Sequence, residues 1–212
     1  MSWNQGMQHY MKEHLPLYVF VSVLFVMGVV FGAVMVNALT LEQQEEMARF
    51  FGSFFHLVNE GDRLDAQVTF QHVFAMHMKW ILLIWILGLS VIGLPIILIL
   101  DFLKGVLIGF TVGYLTGQLS WKGIAFALVS VAPHNLIVIP ILIICSVTAV
   151  TFSIQLVKNR LLHRRGSIYH PFMRYSLLTL SLSALIIVVS LFEAYLMPHM
   201  MRWVTPMLVT LH

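Results

Sequence analysis

Five apolar stretches, at 16–39, 80–100, 102–119, 121–157 and 176–197, leave this chain few options. Each is long enough to cross a bilayer, whose hydrocarbon core of about 30 Å takes roughly 20 helical residues. Of the 212 residues, 59% are hydrophobic and 10% charged, whereas a soluble domain is about 25% charged. That balance excludes a water-soluble fold. The expected class is all-α, a polytopic bundle of about five transmembrane helices forming a single integral membrane domain over 1–212. The run 121–157 is longer than one span needs. Its 136–157 part supplies a full span, leaving 121–131 as a short interfacial or re-entrant helix.

The first run also resembles a signal peptide, with Val36-Asn37-Ala38 as a loose cleavage site. A signal core is about 7–15 residues, and 16–39 exceeds that, so it reads as a retained anchor. Cys145 is the single cysteine, which excludes a disulfide within the chain.

Net charge is only +3, so its placement is the informative part. Lys158, Arg160, Arg164, Arg165 and Arg174 crowd the segment 158–174, and Glu42, Glu45, Glu46, Glu60, Asp62 and Asp65 dominate 40–66. Basic loops stay cytoplasmic. The expected topology therefore has the N-terminus inside, 40–75 outside, a return near Asp101 and Lys104, a cytoplasmic 158–174 and an external C-terminus. Topology accounts for the basic run without nucleic acid as a partner; membrane lipids are the expected contacts.

The outer segment has its own pattern. Thr40-Leu41-Glu42-Gln43 fits a capping box, which opens a helix by satisfying its orphan amides. Met47, Phe50, Phe51, Phe54, Phe55 and Val58 then recur at helical spacing. Such a stripe can pack on the chain's own spans, lie in the membrane interface or take a partner.

Glycines recur at close intervals in the spans: Gly28 and Gly32, Gly88 and Gly93, then Gly105, Gly109, Gly113 and Gly117. Small residues let helix backbones approach in lipid, where no hydrophobic drive pulls helices together. Packing within one bundle and a homodimer seam are both open readings. Pro95 is expected to kink its span.

The stretch VAPHNLIVIP places Pro133, His134 and Asn135 in a row inside an apolar run, with Pro140 following. Proline disfavours helical geometry just before it, so a break at Pro133–Asn135 is predicted, with Asn135 as N-cap of the next span. Glu193 falls near the outer end of the last span, where a carboxylate must snorkel, pair or face water. His134, Asn135 and Glu193 are thus the candidate polar pocket. No HExxH pattern, nucleophile elbow, paired-acid motif or phosphate loop is present, and His72 and His77, expected on the outer side, stand five apart, poor spacing for one helix face. No catalytic residue, metal or cofactor is therefore assigned.

The stretch KWILLIWILGLSVIGLPIILILDFLKGVLIGFTVGYLTGQLSWKG, followed by VSVAPHNLIVIP and LFEAYLMP, resembles the stage II sporulation protein M family, and MGVVFGAVMVNAL in the first span fits too. The wider superfamily often carries Pro-His-Gly and then a glutamate. Here Asn135 replaces the glycine and no glutamate follows, which suits the sporulation branch. The resemblance implies a forespore engulfment protein of the mother-cell membrane at the asymmetric septum. It would be a non-enzymatic scaffold recruiting stage II sporulation proteins D and P, which cut septal peptidoglycan. A channel, transporter or flippase-like protein with a polar cavity at His134, Asn135 and Glu193 is the alternative.

Overall fold

The computed structural model describes residues 3–59, 66–158, 169–196 and 200. Its elements are helix α1 (Trp3–Met35), a short 3-10 turn (Val36–Ala38), α2 (Leu41–Asn59), α3 (Ala66–Gly88), α4 (Gly93–Ser130), α5 (Ala132–Val157) and α6 (Tyr169–Tyr195). No strand occurs among the described residues. Five of these helices, over His14–Ala38, Thr69–Gly88, Gly93–Gln118, Ala132–Val157 and Tyr169–Tyr195, are long and apolar enough to span a membrane. The class is the expected all-α polytopic bundle.

The second and third spans differ from expectation. The chain does not run straight through 80–100; it turns at Leu89–Ile92, and residues 66–75, expected in the outer segment, begin α3. Hydrophobicity alone hid this turn, because GLSVIGLP is nearly all apolar. The turn is closed by Ser90 N–H to the Leu87 carbonyl at 2.9 Å and Gly93 N–H to the Ser90 carbonyl at 3.1 Å. Ser153 of α5 donates to the Gly88 carbonyl at 2.7 Å, satisfying an oxygen that the ending helix leaves free. A Cβ at Gly93 would strike the Leu87 carbonyl, so Gly93 serves this turn, not helix–helix packing. Pro95 lies in the first turn of α4, where its missing N–H costs nothing, and does not kink mid-span. Asp101 and Lys104 consequently sit inside α4 and not in a cytoplasmic connection.

The glycine rows join α1 to α4, the most extensive helix pair in the bundle. A Cβ on Gly28 would meet the Phe102 carbonyl, one on Gly32 the Val106 carbonyl, one on Gly105 the Phe25 carbonyl and one on Gly109 the Val29 carbonyl. Gly113 faces the backbone of Ala33, while nothing lies near Gly117. Backbone approaches backbone from Gly28 to Gly113, so these glycines pack α1 against α4 within the chain.

α5 is the central helix. Two thirds (67%) of its apolar window is buried, against 22% for α1. Val138, Ile141, Cys145, Ala149 and Phe152 meet Ile81 and Ile84 of α3, Ile97 of α4, and Tyr175, Ile186 and Val189 of α6. Phe152 stacks on Tyr175 at 4.9 Å between ring centroids.

The predicted break exists, but at Val131, with α5 starting at Ala132. Pro133 occupies the first turn of α5, the position that tolerates a missing amide hydrogen. Asn135 is no N-cap: it lies within α5, and its Nδ2 donates to the Val131 carbonyl at 2.8 Å. Pro140 lies inside α5 without ending it. α4 runs as one helix from Gly93 to Ser130, so 121–130 continues it and is not a separate short helix, with Phe126 and Ala127 turned inward.

Candidate functional site

α2 is held by the devices its sequence contains. Gln43 Oε1 accepts from Thr40 N–H at 3.0 Å and Thr40 Oγ1 from Gln43 N–H at 3.3 Å, completing the capping box. Phe51 stacks on Tyr114 of α4 at 5.0 Å, and the Tyr114 hydroxyl donates to the Gln44 carbonyl at 3.4 Å. Met47 is half-buried, whereas Phe50 is 65% exposed. The side chains of Phe54, Phe55 and Val58 lie outside the described residues. The stripe thus divides: Phe51 packs on the bundle and Phe50 faces away from it.

The polar cluster lies below α2, among α3, α4, α5 and α6. His77 Nε2 donates to Glu193 Oε2 at 3.1 Å, joining α3 to α6, with 3% and 16% of the two side chains exposed. His134 stands beside His77, ring centroids 6.5 Å apart. Asn135 Nδ2, which can only donate, contacts His134 Nε2 at 3.0 Å, so that nitrogen accepts. His134 Nδ1 is buried and faces the Ser130 backbone without a full hydrogen bond. Lys104 reaches toward Glu193 while its Nζ lies 5.3 Å from the centre of the Trp80 ring.

Of the three residues named for the pocket, His134 and Asn135 contact each other, while Glu193 bonds to neither. Its direct partner is His77, placed outside the membrane by the sequence reading. The signal was present in the periodicity: Val73, His77, Ile81, Ile84 and Gly88 share the buried face of α3. Lys104 was missed with it, because the false span boundary put it in a loop. Chemically, one carboxylate is surrounded by two imidazoles and an ammonium, an arrangement that keeps charge at membrane depth compensated. Among the described residues, no three His, Cys, Asp or Glu side chains converge on a point suited to a metal ion.

A second polar contact lies deeper. Ser146 of α5 donates to Asp101 Oδ1 at 2.8 Å, and Asp101 Oδ2 is buried without a partner. On the far side of the bundle from α2, Lys158 and Arg174 are exposed; Arg174 belongs to α6, not to the connecting loop. Arg160, Arg164 and Arg165 lie outside the described residues.

No curated protein and no solved structure matches this chain. A sequence profile described as Stage II sporulation protein M matches residues 21–198, from the buried face of α1 to just beyond Glu193. That match takes in most of the first span, the other four spans and the whole polar cluster, and the chain belongs to the stage II sporulation protein M family, a family of sporulation-related membrane proteins.

Proposed function

We propose that this protein is a non-enzymatic scaffold for forespore engulfment, seated in the mother-cell membrane at the asymmetric septum. It gathers the septal peptidoglycan-degrading proteins there. By family resemblance these partners are stage II sporulation proteins D and P. The observation that carries this reading is the state of α2. It is pinned to the bundle through Phe51 and Tyr114, while Phe50 and Leu41, at 65% and 80% exposure, project away from it. The basic residues Lys158, Arg160, Arg164, Arg165 and Arg174 support a cytoplasmic α5–α6 connection. That orientation puts α2, the Val131 break and the C-terminus on the outer side, where peptidoglycan lies, and the N-terminus inside. Because the glycine faces are filled by α1 and α4, docking falls to α2 and not to those rows. Co-purification from sporulating cells tests this. Phe50→Asp should abolish recovery of both partners while leaving the protein inserted and folded; undiminished recovery rejects the surface.

A channel, transporter or flippase-like role is the second reading. Buried polar atoms without full partners at membrane depth, Asp101 Oδ2 and His134 Nδ1, favour it. Reconstituted vesicles should then move solute or lipid, and Glu193→Gln should stop that movement.

A further inference from the structure

Between the end of α5 and the start of α6, at the end of the bundle away from α2, lies a half-open cavity of about 640 Å³. Its exposed rim carries Gln155, His170 and Arg174, and Thr151 lies buried within it. Phe152 and Leu177 form apolar walls, and Leu177 continues onto the lipid-facing surface of α6.

Two features mark this cavity as a site for a polar ligand. Thr151 is only 8% exposed, yet its Oγ1 has no hydrogen-bond partner. Several helical hydroxyls in the bundle bond back one turn, as Thr111 does to Leu107, Thr116 to Val112, Thr148 to Ile144 and Thr179 to Tyr175, whereas Ser176 and Ser190, like Thr151, are buried without a partner. Thr151 forgoes that bond and lines the cavity. Independently, Arg174 makes no ion pair among the described residues. A guanidinium presents a planar fork that matches phosphate oxygens, and basic pockets between transmembrane helices take anionic headgroups.

We propose that this cavity binds an anionic phospholipid. Arg174 holds the phosphate, with His170 and Gln155 as further donors. Thr151 bonds a headgroup or glycerol oxygen, and an acyl chain runs along Leu177 into the bilayer. The apolar wall continuous with the lipid surface favours an amphiphile over a free phosphate ion, which would use only the rim.

The test uses the full-length protein in detergent, offered equal amounts of phosphatidylglycerol and phosphatidylcholine, with retained lipid read by native mass spectrometry. The protein should keep phosphatidylglycerol in preference. Arg174→Gln should lower retention about tenfold, the loss of one charge-assisted contact. Thr151→Val, nearly the same shape, should lower it by a smaller factor. Lys158→Gln, an exposed cation at the same end but outside the cavity, should leave it unchanged. Circular dichroism checks the fold of each variant, and Thr151→Val decides alone if Arg174→Gln does not fold. Equal retention of both lipids overturns the proposal, as does unchanged retention in folded variants or an equal loss in Lys158→Gln. Displacement of the lipid by millimolar inorganic phosphate assigns the rim to a free anion and also overturns it.

Discussion

His77 Nε2 and Glu193 Oε2 lie 3.1 Å apart, though 116 residues of sequence separate them. This contact is the tie between α3 and α6 at the end of the bundle nearest α2. Removing one partner leaves a buried polar group with no answer in a medium that cannot supply water. In a double-mutant cycle of His77→Leu and Glu193→Leu, each single variant should lower the thermal midpoint in detergent. The double variant should lose less than the sum, by a coupling of about 1 kcal/mol. Additive losses would mean that the pair carries no shared energy.

Gly109 and Gly117 are eight residues apart on α4 and should respond oppositely. A methyl on Gly109 runs into the Val29 carbonyl, a backbone atom that cannot step aside, whereas nothing surrounds Gly117. Gly109→Ala should destabilise by about 1–3 kcal/mol through overpacking. Gly117→Ala should be neutral or gain up to about 1 kcal/mol from helix propensity. Thermal unfolding of the two variants side by side checks the signs.

Phe50 and Phe51 make the same comparison on α2. Phe51→Ala removes the stack on Tyr114 and should loosen the helix, at a cost of about 0.5–1.5 kcal/mol beyond lost area. Limited proteolysis between α2 and α3 should then proceed faster. Phe50→Ala should leave the cleavage rate unchanged.

Asp101 offers an unusual gain. Its carboxyl has one partner, Ser146, and one bare oxygen inside an otherwise apolar layer. Replacing a buried polar pair by apolar residues of similar volume is often neutral or stabilising, while removing one member alone is costly. Asp101→Leu combined with Ser146→Ala should match or exceed the parent midpoint, and Ser146→Ala alone should fall below it.

Much of this architecture could be read from the residues. Thr40 and Gln43 announced their reciprocal bonds because a capping box is local, and the glycine rows announced a close seam because only glycine admits one. Reading failed where local signals were silent. The turn at Leu89–Ile92 is written in apolar residues and is secured by Ser153, distant in sequence, so no window around it reveals its place. Pro133 marked the break, but only the folded chain shows Val131 as the joint and Asn135 as a donor to it. His77 sat in a segment assigned to the outside, and its role depends on Glu193 arriving from the other end of the chain.

The central position of α5 has a consequence for biogenesis. α1 can rest in lipid with most of its surface bare, but α5 emerges from the ribosome before α6 exists to cover it. Until then Tyr175 is missing from its flank, where it stacks on Phe152, and the Ile84 and Trp85 carbonyls await the Tyr175 hydroxyl. Among the described helices α6 is thus the keystone, and a chain truncated before it would enter the membrane with its innermost segment unsheltered.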